Sequence, residues 1–490
     1  MASLPRLRLF YKTVHRTFAL EARLNCTSTR RWNSSTSSQF TVFVDPKLDK
    51  GLATKQLPAL GPPTSSSSDA AVVLTTPSFA RWLEDESVMR ALLGPAPSAL
   101  QVLSGVVDGL SPSSTFSMPR EGFSVLRGNA DTLLPRLWLH DSPQAQKPEK
   151  SHGYLDFCAQ TPGGLITTTM PLANTVFFTG QEATLSASSW LPQDGVLTRQ
   201  DTMHKAFQQI VLPGVLASHR INAPLIPILP SRKITGCLGN ILSEIEVNGQ
   251  SITASTELED IVPKIYNKRM AATPDSVGVE VWAVVSPSTS PASCHVQQDV
   301  LSLFDDRDNE SAVAVSSSRE LETLFRSGCE LYRIESGGGG WGKRKGRLAL
   351  ETKWTPSSPS PSVQSASLND SEEIDFPAFM RQGIKQRGLI TPGSWLQFFV
   401  SPLPPCGSCT SSSAPVSTRP TRNFVLGSAQ STLSDYVVAD HANIETMQAP
   451  VKLMEDHFSG LAAEGLFITK EDKSSTQLES PFGGITLRYE

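Results

Sequence analysis

Thirty-six prolines and thirty-three glycines, joined by serine-rich tracts, keep this 490-residue chain from building long uninterrupted elements. Such a sequence makes globular blocks separated by flexible inserts. The most apolar stretch, Ile210 to Ala217, is cut by Pro213 and Gly214, and nowhere do the roughly eighteen apolar residues of a membrane-crossing helix run together. No membrane insertion is expected. With 39% hydrophobic residues there is still enough apolar material for sizeable cores.

Strand-like and helix-like patterns alternate irregularly, with hairpin-type links and no run of βαβ units. The fold class that follows is α+β, with mixed, largely antiparallel sheets flanked by helices and interrupted by Ser/Pro-rich inserts. Strands are predicted at Phe40–Val44, Ala71–Leu74, Leu100–Val107, Gly122–Leu126, Leu165–Met170, Asn174–Phe178, Gly278–Val285, Glu330–Ile334, Trp395–Val400 and Gly484–Arg488. Lys233 to Val247 reads as one long or bulged strand, and Asn248-Gly249 after it is the strongest hairpin signal. Helices are predicted from Thr76-Pro77 to Leu93, over Thr202–Val211 with His204 on it, from Thr256 to about Ile265, and over Glu320–Phe325, Phe376–Ile384 and Val451–Leu461.

The first 39 residues carry Arg6, Arg8, Lys12, Arg16, Arg23, Arg30 and Arg31 against one acid, Glu21. Leu4, Leu7, Phe10, Val14 and Phe18 recur at helical steps, which gives an apolar stripe beside a cationic face. This is the pattern of a mitochondrial presequence, and the mitochondrial matrix is the expected location. The remainder then holds 36 basic against 46 acidic residues, a net charge of −10, which argues against a generally phosphate-tracking surface. The organisation that follows is a presequence over 1–39, a linker with one short strand over 40–70, and a central α+β domain over 71–354. A flexible linker over 355–372 leads to C-terminal pieces over 373–490 that complete the core or append to it.

The most conspicuous local signal is Gly337, Gly338, Gly339, Gly340, Trp341, Gly342, Lys343, Arg344 and Lys345. Converging main-chain amides and three cations suit contact with an anion, a ligand or a partner. The run approaches a phosphate-binding loop, but Arg344 stands where a magnesium-binding hydroxyl belongs, and Arg347–Glu351 reads as a strand. A plain hairpin connection is the alternative. Cys406-Gly407-Ser408-Cys409 has redox or half-zinc-site spacing, without a second ligand pair. Cys294-His295 is an ordinary loop pair unless it completes such a set. Asp45, Asp108, Asp305 and Asp306 follow apolar runs, as catalytic acids and ordinary strand-end acids both do. No HExxH or GxSxG motif occurs, so no catalytic residue, metal ligand or cofactor is assigned.

Leu100–Leu110 (LQVLSGVVDGL), Glu121–Gly128 (EGFSVLRG) and Ile234–Gly249 (ITGCLGNILSEIEVNG) resemble the strand and loop signatures of fungal proteins carrying a FIST-type sensory domain. The resemblance spans roughly residues 70 to 350. It implies a small-molecule-binding signalling module, with amino acids as plausible ligands, and transfers no functional residue. Three function classes follow: a ligand-sensing or scaffold protein with a small-molecule ligand or a protein partner in the matrix; a factor that meets mitochondrial RNA or the mitoribosome through the Gly337–Arg347 loop; or an enzyme whose site is assembled from distant residues.

Overall fold

The computed structural model describes residues 38–57, 68–94, 96, 98–112, 117–139, 153–272, 278–288, 293–337, 346–351, 390–404, 422–429, 450–471 and 475–489. Thr36–Glu490 forms one compact unit; of the residues 1–39 expected to be a presequence, 1–37 lie outside the described residues, while Ser38 and Gln39 begin strand Ser38–Val44. The architecture is α+β. A seven-stranded mixed sheet has the order Val451–Glu455, Ser38–Val44, Gly122–Gly128, Ala70–Thr75, Leu100–Val106, Leu185–Gln193, Val196–His204. Its interior pair Ala70–Thr75 and Leu100–Val106 runs parallel.

Strand alternation decides what each face of this sheet covers. Ala71 and Val73 point to the side of helix Lys50–Gln56, 3-10 helix Pro77–Glu84 and helix Glu86–Leu93, where they meet Phe79, Val88 and Leu92. Ala70, Val72 and Leu74 point the other way, into the largest core. That core is shared with two further sheets. One has four strands, ordered Ser218–Asn222, Gly484–Tyr489, Arg422–Ser428, His457–Ala462; the other has five, ordered Ser475–Leu478, Leu466–Lys470, Gly164–Pro171, Tyr154–Thr161, Phe207–Val215.

Six of the eight remaining strands close on themselves, while Ile226–Pro227 and Gln250–Thr253 pair beside the ring. Trp395–Val400, Arg232–Leu238, Ile241–Val247, Leu348–Leu350, Glu330–Gly337 and Val281–Ser286 pair in that order, and Val281–Ser286 pairs again with Trp395–Val400. Every pairing is antiparallel, so this is a six-stranded barrel without a free edge. Ala283, Tyr332 and Phe398 face one way, into a core with Leu258, Ile261 and Ile265 of helix Thr256–Ala272 and with Phe304. Trp282, Val284, Leu331 and Phe399 face the other way and join the largest core.

Several sequence expectations need correction. Val451–Leu461 is not a helix: Asp456, at φ 51, turns the chain so that Val451–Glu455 ends the seven-stranded sheet and His457–Ala462 enters the four-stranded one. Thr202–Val211 belongs to two strands, Val196–His204 and Phe207–Val215, with His204 exposed at a strand end. Lys233–Val247 is two strands, because Gly239 at φ 63 turns the chain; the bulge falls at Gly236. Asn174–Phe178 holds an isolated bridge from Asn174 to Ala183 and the start of the short helix Val176–Thr179 instead of a strand. The Asn248-Gly249 hairpin is present with both residues at positive φ, as that turn requires. The helix predicted over Glu320–Phe325 is longer, Arg307–Arg326. Phe376–Ile384 lies outside the described residues.

Candidate functional site

The four-stranded sheet presents one face to the largest core, through Phe424, Leu426, Phe458, Ile485 and Leu487. Pairing register puts Asn222, Gly484, Gly427 and Leu461 side by side in one row of the opposite face. Arg220, Thr486, Val425 and Ser459 form the next row, and Ser218, Arg488, Asn423 and His457 the one after. At the Ser459 and His457 end this face packs on the seven-stranded sheet: Ser459 N donates to Ser124 Oγ at 3.0 Å, and His457 Nδ1 lies 3.0 Å from Thr41 Oγ1.

A pocket forms in the first row because its two middle positions lack side chains. Gly427 stands opposite Gly484, so Asn222 and Leu461 flank a bare floor. A Cβ on Gly427 would lie 2.8 Å from the Gly483 carbonyl oxygen, and one on Gly484 would lie 2.5 Å from that of Leu426. Close main-chain approach therefore requires glycine at both positions. Ser111, Ser117 and Pro119 also line the pocket, as does the turn at Phe482 and Gly483. The serine-bearing loop is pinched at its base by the reciprocal main-chain bonds of Leu110 and Arg120, 2.9 and 2.8 Å.

The turn at the other side is tightly specified. Ser428 N donates to Gly483 O at 2.7 Å, Gly483 N donates to Ser480 O at 2.8 Å, and the Ser428 hydroxyl donates to the same Ser480 carbonyl. Phe482 adopts φ 60, which a bulky residue holds only when its surroundings impose it. The fully buried Ser480 Oγ has no hydrogen-bond partner among the described residues. The cavity volume is about 30 Å³. One water needs roughly 10–15 Å³ by that measure, so the enclosed part admits a hydroxyl or amide tip but not a whole amino acid.

Helix Arg307–Arg326 fixes the outer wall. Ser318 Oγ accepts from Ala223 N at 2.9 Å and donates to Asn222 Oδ1 at 3.2 Å; Glu322 Oε1 accepts from Ile221 N at 3.3 Å; Arg326 Nη2 donates to His219 O at 3.4 Å. Four helical residues advance about 6.0 Å and two strand residues about 6.6–6.8 Å, so one helix face can serve a strand edge rung by rung. The Asn222 amide oxygen is thus held by Ser318.

Of the strand-end acids, Asp108 comes nearest this site. Its amide donates to the carbonyl of the pocket residue Leu461 at 2.9 Å. Burial pushes its carboxyl up to about 6, against the Ala463 amide that it accepts at 2.8 Å and with Glu464 adding to the rise. Asp45 accepts from Lys47 N, Asp305 pairs with Lys268, and Asp306 caps helix Arg307–Arg326 through Asp308 N.

The glycine-rich signal is divided. Gly337 ends strand Glu330–Gly337 opposite Leu348, so the strands on either side of the segment pair in the barrel. Gly338, Gly339, Gly340, Trp341, Lys343, Arg344 and Lys345 lie outside the described residues, as do Cys406 and Cys409. The Cys294 thiol is buried and pushed up to about 12, chiefly by burial and then by Glu320. Among the described residues no group of three or more His, Cys, Asp or Glu side chains is placed to hold a metal ion. Among the same residues no helix is long and apolar enough to cross a membrane.

Sequence reasoning missed Asn222, Gly427, Ser428 and the Ser480–Gly484 turn. The one local signal was the Gly483-Gly484 pair behind Pro481-Phe482, which marks a turn without saying what faces it. Compared with known protein families, with curated proteins and with solved structures, the chain matches none.

Proposed function

We propose that this chain is a ligand-sensing or scaffold protein of FIST-like type acting in the mitochondrial matrix, and that the pocket between Asn222 and Leu461 receives a polar group of its small-molecule ligand. The pocket itself carries the reading. Its floor is main chain, its walls offer the hydroxyls and amide of Ser111, Ser117, Asn222 and Thr486, and a strained turn is held in place to complete it. Concave sites with a few placed polar groups on rigid strands suit recognition of a small ligand. Two of the segments that resemble the FIST type support the same region: Leu100–Leu110 leads directly into Ser111, and Glu121–Gly128 follows the Arg120 pinch at the base of the serine loop.

Binding is tested on the chain lacking residues 1–37 by calorimetry against small polar compounds, with an Asn222→Ala variant beside it. Saturable binding that is lost in the variant, with an unchanged melting temperature, is expected. Compounds that bind both proteins equally well sink the pocket assignment. The matrix location is tested by fusing residues 1–40 to a soluble reporter, which should be imported and shortened; an intact fusion retained in the cytosol overturns it.

A further inference from the structure

The geometry points to an anionic ligand: a short carboxylate-bearing molecule whose charged end lies on Arg220 and Arg488 while its neutral polar end enters the pocket. This rests on the pocket reading above and adds the charge and length of the ligand.

Arg220 and Arg488 lie on the same sheet face as Asn222, Gly484 and Thr486, since directly opposed residues of an antiparallel pair share a face. Arg220 pairs with Thr486, a pocket residue, and Arg488 stands one row further along the same strand. The two guanidinium groups therefore come from diagonal neighbours on adjacent strands, within reach of a common anion. Arg488 is exposed and has no acidic partner among the described residues. Arg220 is 41% exposed, and its nearest carboxylate, Glu322, is 4.0 Å from Nε and is already engaged by Arg326 and by Ile221 N.

Among the described residues the pocket end offers no charged lining side chain. A ligand that uses both ends must then carry its neutral group in the cavity and its charge outside, over the arginines. Arginine forks match carboxylates in pairs, which favours a planar oxyanion at that end. The spacing sets the length: Arg220 stands one row, about 6.6–6.8 Å, from the Asn222–Gly484 floor, the reach of a chain of about four carbons, and Arg488 stands one row beyond it. The 30 Å³ cavity limits the neutral tip to a group such as a hydroxyl.

The test uses 4-hydroxybutyrate as the probe, 1,4-butanediol as its neutral counterpart and inorganic phosphate as a generic anion, each titrated into the chain lacking residues 1–37. The hydroxy acid should bind at least tenfold more tightly than the diol. Arg220→Gln and Arg488→Gln should each remove most of that advantage while leaving the unliganded melting temperature unchanged, and Asn222→Ala should weaken both compounds. Equal affinity for acid and diol, with Asn222→Ala still harmful, overturns the charge inference and leaves the pocket reading standing. Phosphate binding as tightly as the hydroxy acid and lost with the arginines, but untouched by Asn222→Ala, shows an anion patch unconnected with the pocket and also overturns it. Binding of none of the three at 50 times the concentration of protein, or binding unaffected by every variant, removes both readings.

Discussion

The amide of Ile221 donates to the carboxylate of Glu322 at 3.3 Å, so a helix side chain occupies the place that a neighbouring strand would take. Strand Ser218–Asn222 is the edge of its sheet, and unpaired edges invite pairing with other chains. Glu322→Ala should cost about 1–2 kcal/mol by leaving that amide unbonded, and should also expose the edge. Sedimentation velocity at increasing concentration should then show more self-association than the parent chain under the same conditions. A variant that associates no more than the parent and is equally stable would show that Ser318 and Arg326 suffice.

Arg269 and Glu310 form a buried ion pair, each side chain only 2% exposed. Arg269 also donates to Ser401 O at 2.7 Å, its guanidinium lies 5.1 Å from the Phe304 ring centre, and Glu310 accepts from Leu403 N at 2.8 Å. Removing one charge strands the other in a dry environment. Arg269→Met should cost about 3–5 kcal/mol in urea unfolding, and adding Glu310→Leu should recover part of the loss. A double variant worse than the single one contradicts this account.

Burial pushes the Asp156 carboxyl up to about 6, against the hydrogen bond that the Thr169 hydroxyl donates to it. A raised carboxylate pKa means that the folded state prefers the proton, so stability falls as pH rises from about 4 through 6. Asp156→Asn should therefore stabilise the protein at pH 7–8 by about 1–3 kcal/mol and flatten this part of the stability curve. Thermal unfolding across pH 4–8 checks both effects, and destabilisation at pH 7.5 would count against them.

His457 has the opposite sign. Burial holds its imidazole down to about 4, its Nδ1 meets Thr41 Oγ1 at 3.0 Å, and its Nε2 has no partner among the described residues. The neutral ring is what the fold accepts, so stability present above about pH 6.5 is lost as pH falls toward 4, by up to about 3 kcal/mol. His457→Gln should be less sensitive to acid over that window. An unchanged acid limb would place the acid lability elsewhere.

How much of this was legible in the sequence follows from the range of the interactions. Local chemistry was readable: Asn248-Gly249 made its hairpin, and Phe40–Val44, Trp395–Val400 and Gly484–Arg488 are strands. Thr202–Val211 misled because Met203, Phe207 and Ile210 have helical spacing, while Ile210 and Leu212, two apart and both buried, are the pair that faces the core. Val451–Leu461 misled because the decisive residue was Asp456, whose left-handed turn moves the chain between sheets. The pocket had no local signature. Asn222, Gly427, Leu461 and Gly484 become a row only through pairings between distant strands, and nothing at any one position announces its neighbours.

Gln39 donates through its side-chain amide to Asp456 O at 3.0 Å, while Asp456 N donates to Gln39 O at 3.1 Å. The strand that Gln39 belongs to lies between Gly122–Gly128 and Val451–Glu455, so one of its neighbours is made long after it, the Gln39–Asp456 contact spanning 417 positions. At roughly 5–20 residues per second, a ribosome would need on the order of 20–80 s after finishing Ser38–Val44 before that neighbour existed. For all of that interval the chain cannot complete its largest sheet. Completion of that sheet is set by a pairing across 417 positions, and contacts of such long range are intrinsically slow to form.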